Sequence, residues 1–84
     1  MASVVVYSTD WCGYCERAKR LLDRRGIAYE DVRIDDEQPD FRRRLRELTG
    51  NWTVPQIMID GRPIGGYLEL WALERRGGLD ALAA

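Results

Sequence analysis

The sequence predicts an α/β fold in the order β-α-β-α-β-β-α, a mixed four-stranded sheet flanked by helices, with two parallel strands beside an antiparallel hairpin. Three observations carry this. The β-branched run Val4-Val5-Val6-Tyr7 is followed within a few residues by a helical pattern. Asp60-Gly61 separates Gln56–Ile59 from Arg62–Ile64, a strong two-residue hairpin signal. Between these lie segments with apolar residues at helical spacing, each ended by a glycine. At 84 residues, 45% of them hydrophobic, the chain is long enough for one small domain spanning residues 1–84.

Taken in order, Val4 to Tyr7 has the continuous character of a strand buried on both faces. Ser8-Thr9-Asp10 supplies turn and cap chemistry. A first helix is predicted from near Cys12–Tyr14 to about Arg25, with Ala18, Leu21 and Leu22 inward and Gly26 as its stop. Ile27 to Ile34 reads as the second strand, with Ile27, Tyr29, Val32 and Ile34 facing in. Asp35 to Asp40 forms an acidic, proline-containing turn that suits a helix N-terminus. Phe41, Leu45 and Leu48 recur at i, i+4, i+7, so a second helix runs from Phe41 to about Thr49, ended by Gly50. Arg42, Arg43, Arg44 and Arg46 fall mostly on its solvated face. After the hairpin, a third helix covers about Leu68 to Arg76. Gly77-Gly78 then precedes a short terminal helix, Leu79 to Ala83.

A formal charge of −1 argues against nucleic acid or an anionic membrane as a partner. No stretch approaches the roughly 20 apolar residues that span a bilayer. Met1-Ala2-Ser3 leads straight into a strand, with no basic n-region. A cysteine pair in such a chain fits a reducing compartment, so the expected location is the cytoplasm. The expected state is a monomer.

The only two cysteines are Cys12 and Cys15, in Trp11-Cys12-Gly13-Tyr14-Cys15. The spacing suits either a redox pair or half of a zinc site. A structural zinc takes four Cys or His ligands, and this chain has no histidine and no third cysteine, which favours the redox pair. A first cysteine at a helix N-terminus faces unsatisfied N–H groups and the positive end of the dipole, which stabilise a thiolate. Such sites bring a cysteine pKa from about 8.5 to roughly 3.5–7.5. Cys15, one turn on, is expected to be the more buried thiol and to act second. With no histidine to help, activation falls to the dipole, local amides and the basic residues Arg17 and Lys19, both of which read as exposed.

Tyr7, Cys12-Gly13-Tyr14-Cys15, Thr53-Val54-Pro55 and Gly65-Gly66 together resemble the motif set of the glutaredoxins, in order and at family spacing. Val54 to Asp60 and Gly77-Gly78-Leu79-Asp80 look closest to the short bacterial glutaredoxin 3 type. The resemblance implies a thioredoxin fold and a dithiol oxidoreductase with Cys12 as nucleophile and Cys15 as resolving thiol. It implies reduction of protein disulfides and glutathione mixed disulfides, with glutathione as reducing co-substrate and no tightly bound cofactor. By the same resemblance Pro55 is cis, Val54 offers its backbone to substrate, and Tyr14, Thr53, Val54, Pro55, Gly66, Tyr67 and Leu68 form the glutathione groove.

Four departures bear on this. Gly13 replaces the usual proline, which restores an N–H. In some relatives Gly or Ser there accompanies a bridging [2Fe–2S] cluster held by Cys12 of each of two chains and two glutathione thiolates. Thr9 stands where many members have lysine. Tyr67-Leu68-Glu69 follows Gly65-Gly66 where a small residue and Asp or Thr are usual. Leu68 cannot cap a helix through its side chain, while Glu69 keeps a carboxylate for an ammonium group. Trp11 and Trp52 are expected at the active-site rim, either as packed aromatics or as partner contacts. Trp-Cys-Gly-Tyr-Cys also resembles the mycoredoxins, so mycothiol, or a thioredoxin reductase, is the alternative electron source.

Overall fold

A computed structural model describes residues 3–10, 12–33 and 39–82. The elements are β1 (Val4–Ser8), α1 (Gly13–Arg24), β2 (Glu30–Arg33), α2 (Pro39–Thr49), β3 (Gln56–Ile59), β4 (Arg62–Gly65) and α3 (Tyr67–Arg75). The strands form one sheet in the order β2-β1-β3-β4. β1 runs parallel to β2 and antiparallel to β3, and β3 antiparallel to β4. The mixed sheet and the element order are those the sequence predicts.

β1 is central, and alternate residues Val4, Val6 and Ser8 are fully buried while Val5 and Tyr7 are half-buried. The expectation of burial on both faces holds for one face only. Val4 and Val6 join Ala18, Leu21 and Leu22 of α1, Ile57 of β3, Leu70 of α3, and Ile27 and Leu79 in a single core. α2 packs on β4 and places Leu45, fully buried, outside that cluster.

α1 ends as its sequence dictates. The N–H of Gly26 donates to the carbonyl of Asp23 and that of Ile27 to the carbonyl of Leu22, closing the last turn with Ile27 delivered to the core. The Asp60-Gly61 turn has φ of 52° and 79°, the pair of left-handed residues that a two-residue hairpin needs.

Three features differ from expectation. β2 begins at Glu30 rather than Ile27, because Ile27 is consumed by the helix cap; it is an edge strand and mostly exposed. Leu48 is 51% exposed, since on α2 the buried stripe runs through Leu45 and Thr49 and leaves Leu48 at its margin. Residues 79–82 form turns with i→i+3 bonds rather than a helix, although Leu79 is buried. Ile34, the turn at 35–38, Ala83 and Trp11 lie outside the described residues. No helix among the described residues is long and apolar enough to cross a membrane.

Candidate active site

β1 delivers the chain to the N-terminus of α1, and Cys12 sits there as the N-cap, in extended conformation with φ −115° and ψ 107°. The N–H of Cys15 donates to Cys12 Sγ across 3.2 Å. A sulfur thus occupies the place usually held by a capping Ser or Asp oxygen, where the first-turn amides favour negative charge. Gly13 contributes one more amide to that turn than a proline would, and a Cβ there would meet nothing within 4 Å.

Cys12 and Cys15 are joined as a disulfide with their Cα atoms 5.2 Å apart. Cys15 is wholly buried and Cys12 part-exposed, so an external sulfur reaches Cys12 first. The carbonyl oxygen of Val54 lies 3.9 Å from Cys12 Sγ. The Val54–Pro55 peptide is cis, as expected.

Tyr14, Thr53, Val54, Pro55, Gly66, Tyr67 and Leu68, all anticipated, line one open groove of about 250 Å³, with Glu69 added. The Tyr14 and Tyr67 rings stand 6.0 Å apart, tilted by 34°, at its end. Gly65 has φ +122°, and a Cβ on it would come within 2.8 Å of Glu69 Cγ, so only glycine lets the groove floor and α3 meet this way. Leu68 is 66% exposed and offers the groove an apolar edge where a polar cap was absent.

Several expectations for these residues are corrected. Glu69 does not present a free carboxylate, because Oε2 accepts from the Gly66 N–H at 3.0 Å and caps α3. That bond also occupies one of the backbone donors at the N-terminus of α3. Trp52 is 59% exposed rather than packed, and its carbonyl accepts from Arg42 at 3.0 Å.

Lys19, read as exposed, is buried. Its ammonium lies 2.9 Å from Asp31 and 3.6 Å from Glu16. The fully buried Ser8 hydroxyl donates to the same Asp31 at 2.6 Å, and Arg33 bridges Asp31 and Asp10. Burial alone would raise the Asp31 pKa, but the Ser8 hydroxyl, the Lys19 ammonium and Arg33 together hold it below the ordinary carboxylate value. Tyr29 is pushed up by burial and by Asp23, Asp31 and Glu16. The signal for Lys19 lay in its position four residues after Cys15, on the buried stripe. Arg17 is exposed, its guanidinium 5.5 Å from the Tyr14 ring centroid.

Among the described residues no group of three or more Cys, His, Asp or Glu could hold a metal ion. With Cys15 buried, this chain offers a bridging iron–sulfur cluster a single thiol, Cys12.

The glutaredoxin family model matches residues 4–64. A glutaredoxin of Pseudomonas aeruginosa is 48% identical over 82 residues, covering 98% of this chain and 96% of that one. Glutaredoxin 3 of Escherichia coli K12 is 44% identical over 82 residues, covering 98% of each. Among solved structures, a buckwheat glutaredoxin in complex with glutathione superposes with a TM-score of 0.85 at 34% identity, covering 98% of this chain and 76% of that one. The fold is the thioredoxin fold.

Proposed function

The chain belongs to the glutaredoxin family and is a thiol–disulfide oxidoreductase, and from that premise we propose that glutathione is its reductant and that it acts on protein disulfides and glutathione mixed disulfides. The observation that carries the reading is the Cys12 sulfur at the N-cap, accepting the Cys15 N–H at 3.2 Å, at the head of the Tyr14–Pro55–Leu68 groove. Its likeness to a glutaredoxin solved with glutathione supports the choice of thiol.

In the first step the Cys12 thiolate attacks the glutathionyl sulfur of a mixed disulfide. The substrate thiolate leaves, and Cys12 is left bonded to glutathione. A second glutathione thiolate then attacks that glutathione sulfur, releasing glutathione disulfide and returning the Cys12 thiolate. With a protein disulfide, Cys12 forms a mixed disulfide with one substrate sulfur. Cys15 then loses its proton and attacks Cys12, which frees the second substrate thiol and closes the Cys12–Cys15 bond. The groove walls hold the glutathione backbone beside Val54, so that the reacting sulfurs meet in line. The first-turn amides carry the charge on Cys12 whenever it is the leaving sulfur.

The test is turnover of a glutathione mixed disulfide with glutathione, glutathione reductase and NADPH. Cys12→Ser should abolish it, and Cys15→Ser should retain at least about a tenth, because the monothiol route needs one sulfur. Activity surviving in the Cys12 variant would refute the mechanism. Faster reduction by mycothiol, or by thioredoxin reductase with NADPH, would move the electron source elsewhere.

A further inference from the structure

The outer face of α1 holds charge that the thiol chemistry does not use. Gly13, Arg17, Arg20 and Arg24 fall at i, i+4, i+7 and i+11, one stripe of the helix that starts between the two cysteines. All three arginines are exposed. Arg20 and Arg24 have no hydrogen bond or ion pair among the described residues, and the only partner of Arg17 is the Tyr14 ring. Arg25 pairs with Asp80 and Glu74, Arg33 with Asp10 and Asp31, and Arg43 with Asp40, while Arg44, Arg46, Arg62 and Arg76 also hold no side-chain bond among the described residues. What sets the α1 arginines apart is that they share one stripe and one groove.

These three guanidiniums line an open groove of about 490 Å³ together with Asp23 and Tyr67. Asp23 offsets one charge, and Glu16, on the adjoining side of the helix, is drawn towards Lys19. A smaller groove at Gly13, Tyr14 and Arg17 joins the basic groove to the cleft beside Cys12, since Tyr14 and Tyr67 line the cleft as well. The basic groove is therefore a continuation of the active-site surface. The whole chain is at −1, so its general field would not favour an anionic partner.

We propose that this groove docks an acidic stretch of the disulfide-bearing protein substrate, next to the cysteine under attack. From Gly13 to Arg24 the helix rises about 16 Å, the span of about five extended residues. The groove thus matches some five residues on one side of the target cysteine, with Asp or Glu side chains set against Arg17, Arg20 and Arg24. Three guanidiniums with no ion pair among the described residues offer forked donors to carboxylates from one groove. The inference takes from the proposed function only that Cys12 is the attacking sulfur.

The experiment uses the fully reduced protein and peptides of equal length with one cysteine. On one side or the other, the cysteine is flanked by a run of Glu, of Gln or of Lys, and each peptide is disulfide-linked to 5-thio-2-nitrobenzoate. The Cys12 thiolate attacks the peptide sulfur, the coloured thionitrobenzoate leaves, and Cys15 then displaces the peptide thiol. The rate is read without glutathione. A protein that failed to use glutathione would therefore refute the proposed function and leave this readout standing.

At about 20 mM salt the acidic peptide should react about tenfold faster than the Gln peptide, and the gap should shrink to less than about twofold near 0.5 M. The R20E/R24E variant should invert the order of the acidic and Lys peptides. It should leave the rate with 2-hydroxyethyl thionitrobenzoate disulfide within about twofold of wild type. Equal rates for acidic and neutral peptides would overturn the proposal. So would a preference that survives R20E/R24E, or an equal loss on the small disulfide, which would place the arginines at the sulfur chemistry instead.

Discussion

Lys19 and Arg20 are neighbours on α1, yet Lys19 is 7% exposed with its ammonium held at 2.9 Å by Asp31, while the Arg20 guanidinium has no partner among the described residues. The difference comes from what each face of the helix meets. The inner face lies on β1 and its neighbour β2, where Asp31, oriented by the Ser8 hydroxyl, receives a cation. The outer face borders an open groove with Tyr67 on its flank. Burial has turned one cation into part of the frame beneath the cysteine pair, held by Asp31, whose carboxylate Ser8 holds in turn. Exposure has left the others available to a partner. Like residue types on one helix therefore divide between holding the fold and reading a substrate.

The strongest way to break this contrast is to strand the buried charge. Asp31→Asn leaves Lys19 with Glu16 at 3.6 Å as its remaining anion. Removing one partner of a fully buried pair costs about 3–5 kcal/mol. The Asp31 side chain is 29% exposed and Glu16 remains, so the expected loss is about 2 kcal/mol. Lys19→Met should cost less, about 1 kcal/mol, because Asp31 keeps Ser8 and Arg33 and the apolar stem is replaced in kind. Urea unfolding of both variants checks the order. A Lys19→Met loss as large as that of Asp31→Asn would show that the buried ammonium itself, and not its apolar stem, carries the stabilisation.

A second effect, smaller, comes from acid. The folded-state pKa of Asp31 lies below its ordinary value of 3.8, so ionised Asp31 stabilises the fold at every pH above the unfolded value. That contribution fades as pH falls below about 4 and through the folded pKa. Stability measured from pH 6 to pH 2 should therefore fall less steeply in Asp31→Asn than in the wild type. The two curves should draw together in acid, and parallel curves would show that other carboxylates dominate the acid limb.

The sequence was legible where local chemistry and tertiary packing agreed. The Asp60-Gly61 hairpin, the Gly26 cap and the cysteine pair at the head of α1 each follow from a short stretch, so each could be read without the rest of the chain. The groove was legible through the resemblance: Thr53, Val54 and Pro55 come together with Tyr67 and Leu68 only through the sheet. Two kinds of feature escaped. Lys19 looks like a surface residue until β2 supplies Asp31, a partner twelve positions away across a parallel pairing. Glu69 looks free until the left-handed Gly65 and the turn at Gly66 bring a backbone N–H to it. In both cases the deciding partner lies on another segment or depends on a backbone angle that residue type does not fix. The terminal helix failed for a related reason. Leu79 is buried, but after Gly77-Gly78 the chain closes i→i+3 turns instead of a helical ladder.

The smallest expected effect sharpens the comparison from the other side. Arg20→Gln and Arg24→Gln remove exposed cations that hold no ion pair among the described residues, so neither should change stability by more than about 0.5 kcal/mol. Arg17, Arg20 and Arg24 repel one another along a single stripe, and each removal relieves that repulsion, which favours a slight gain. The chemical denaturation midpoint, with an unchanged slope, is the quantity to compare. A loss above about 1 kcal/mol from either substitution would mean that the guanidinium is engaged within the fold. The outer face would then be structural like the inner one, and the division of labour along α1 would disappear.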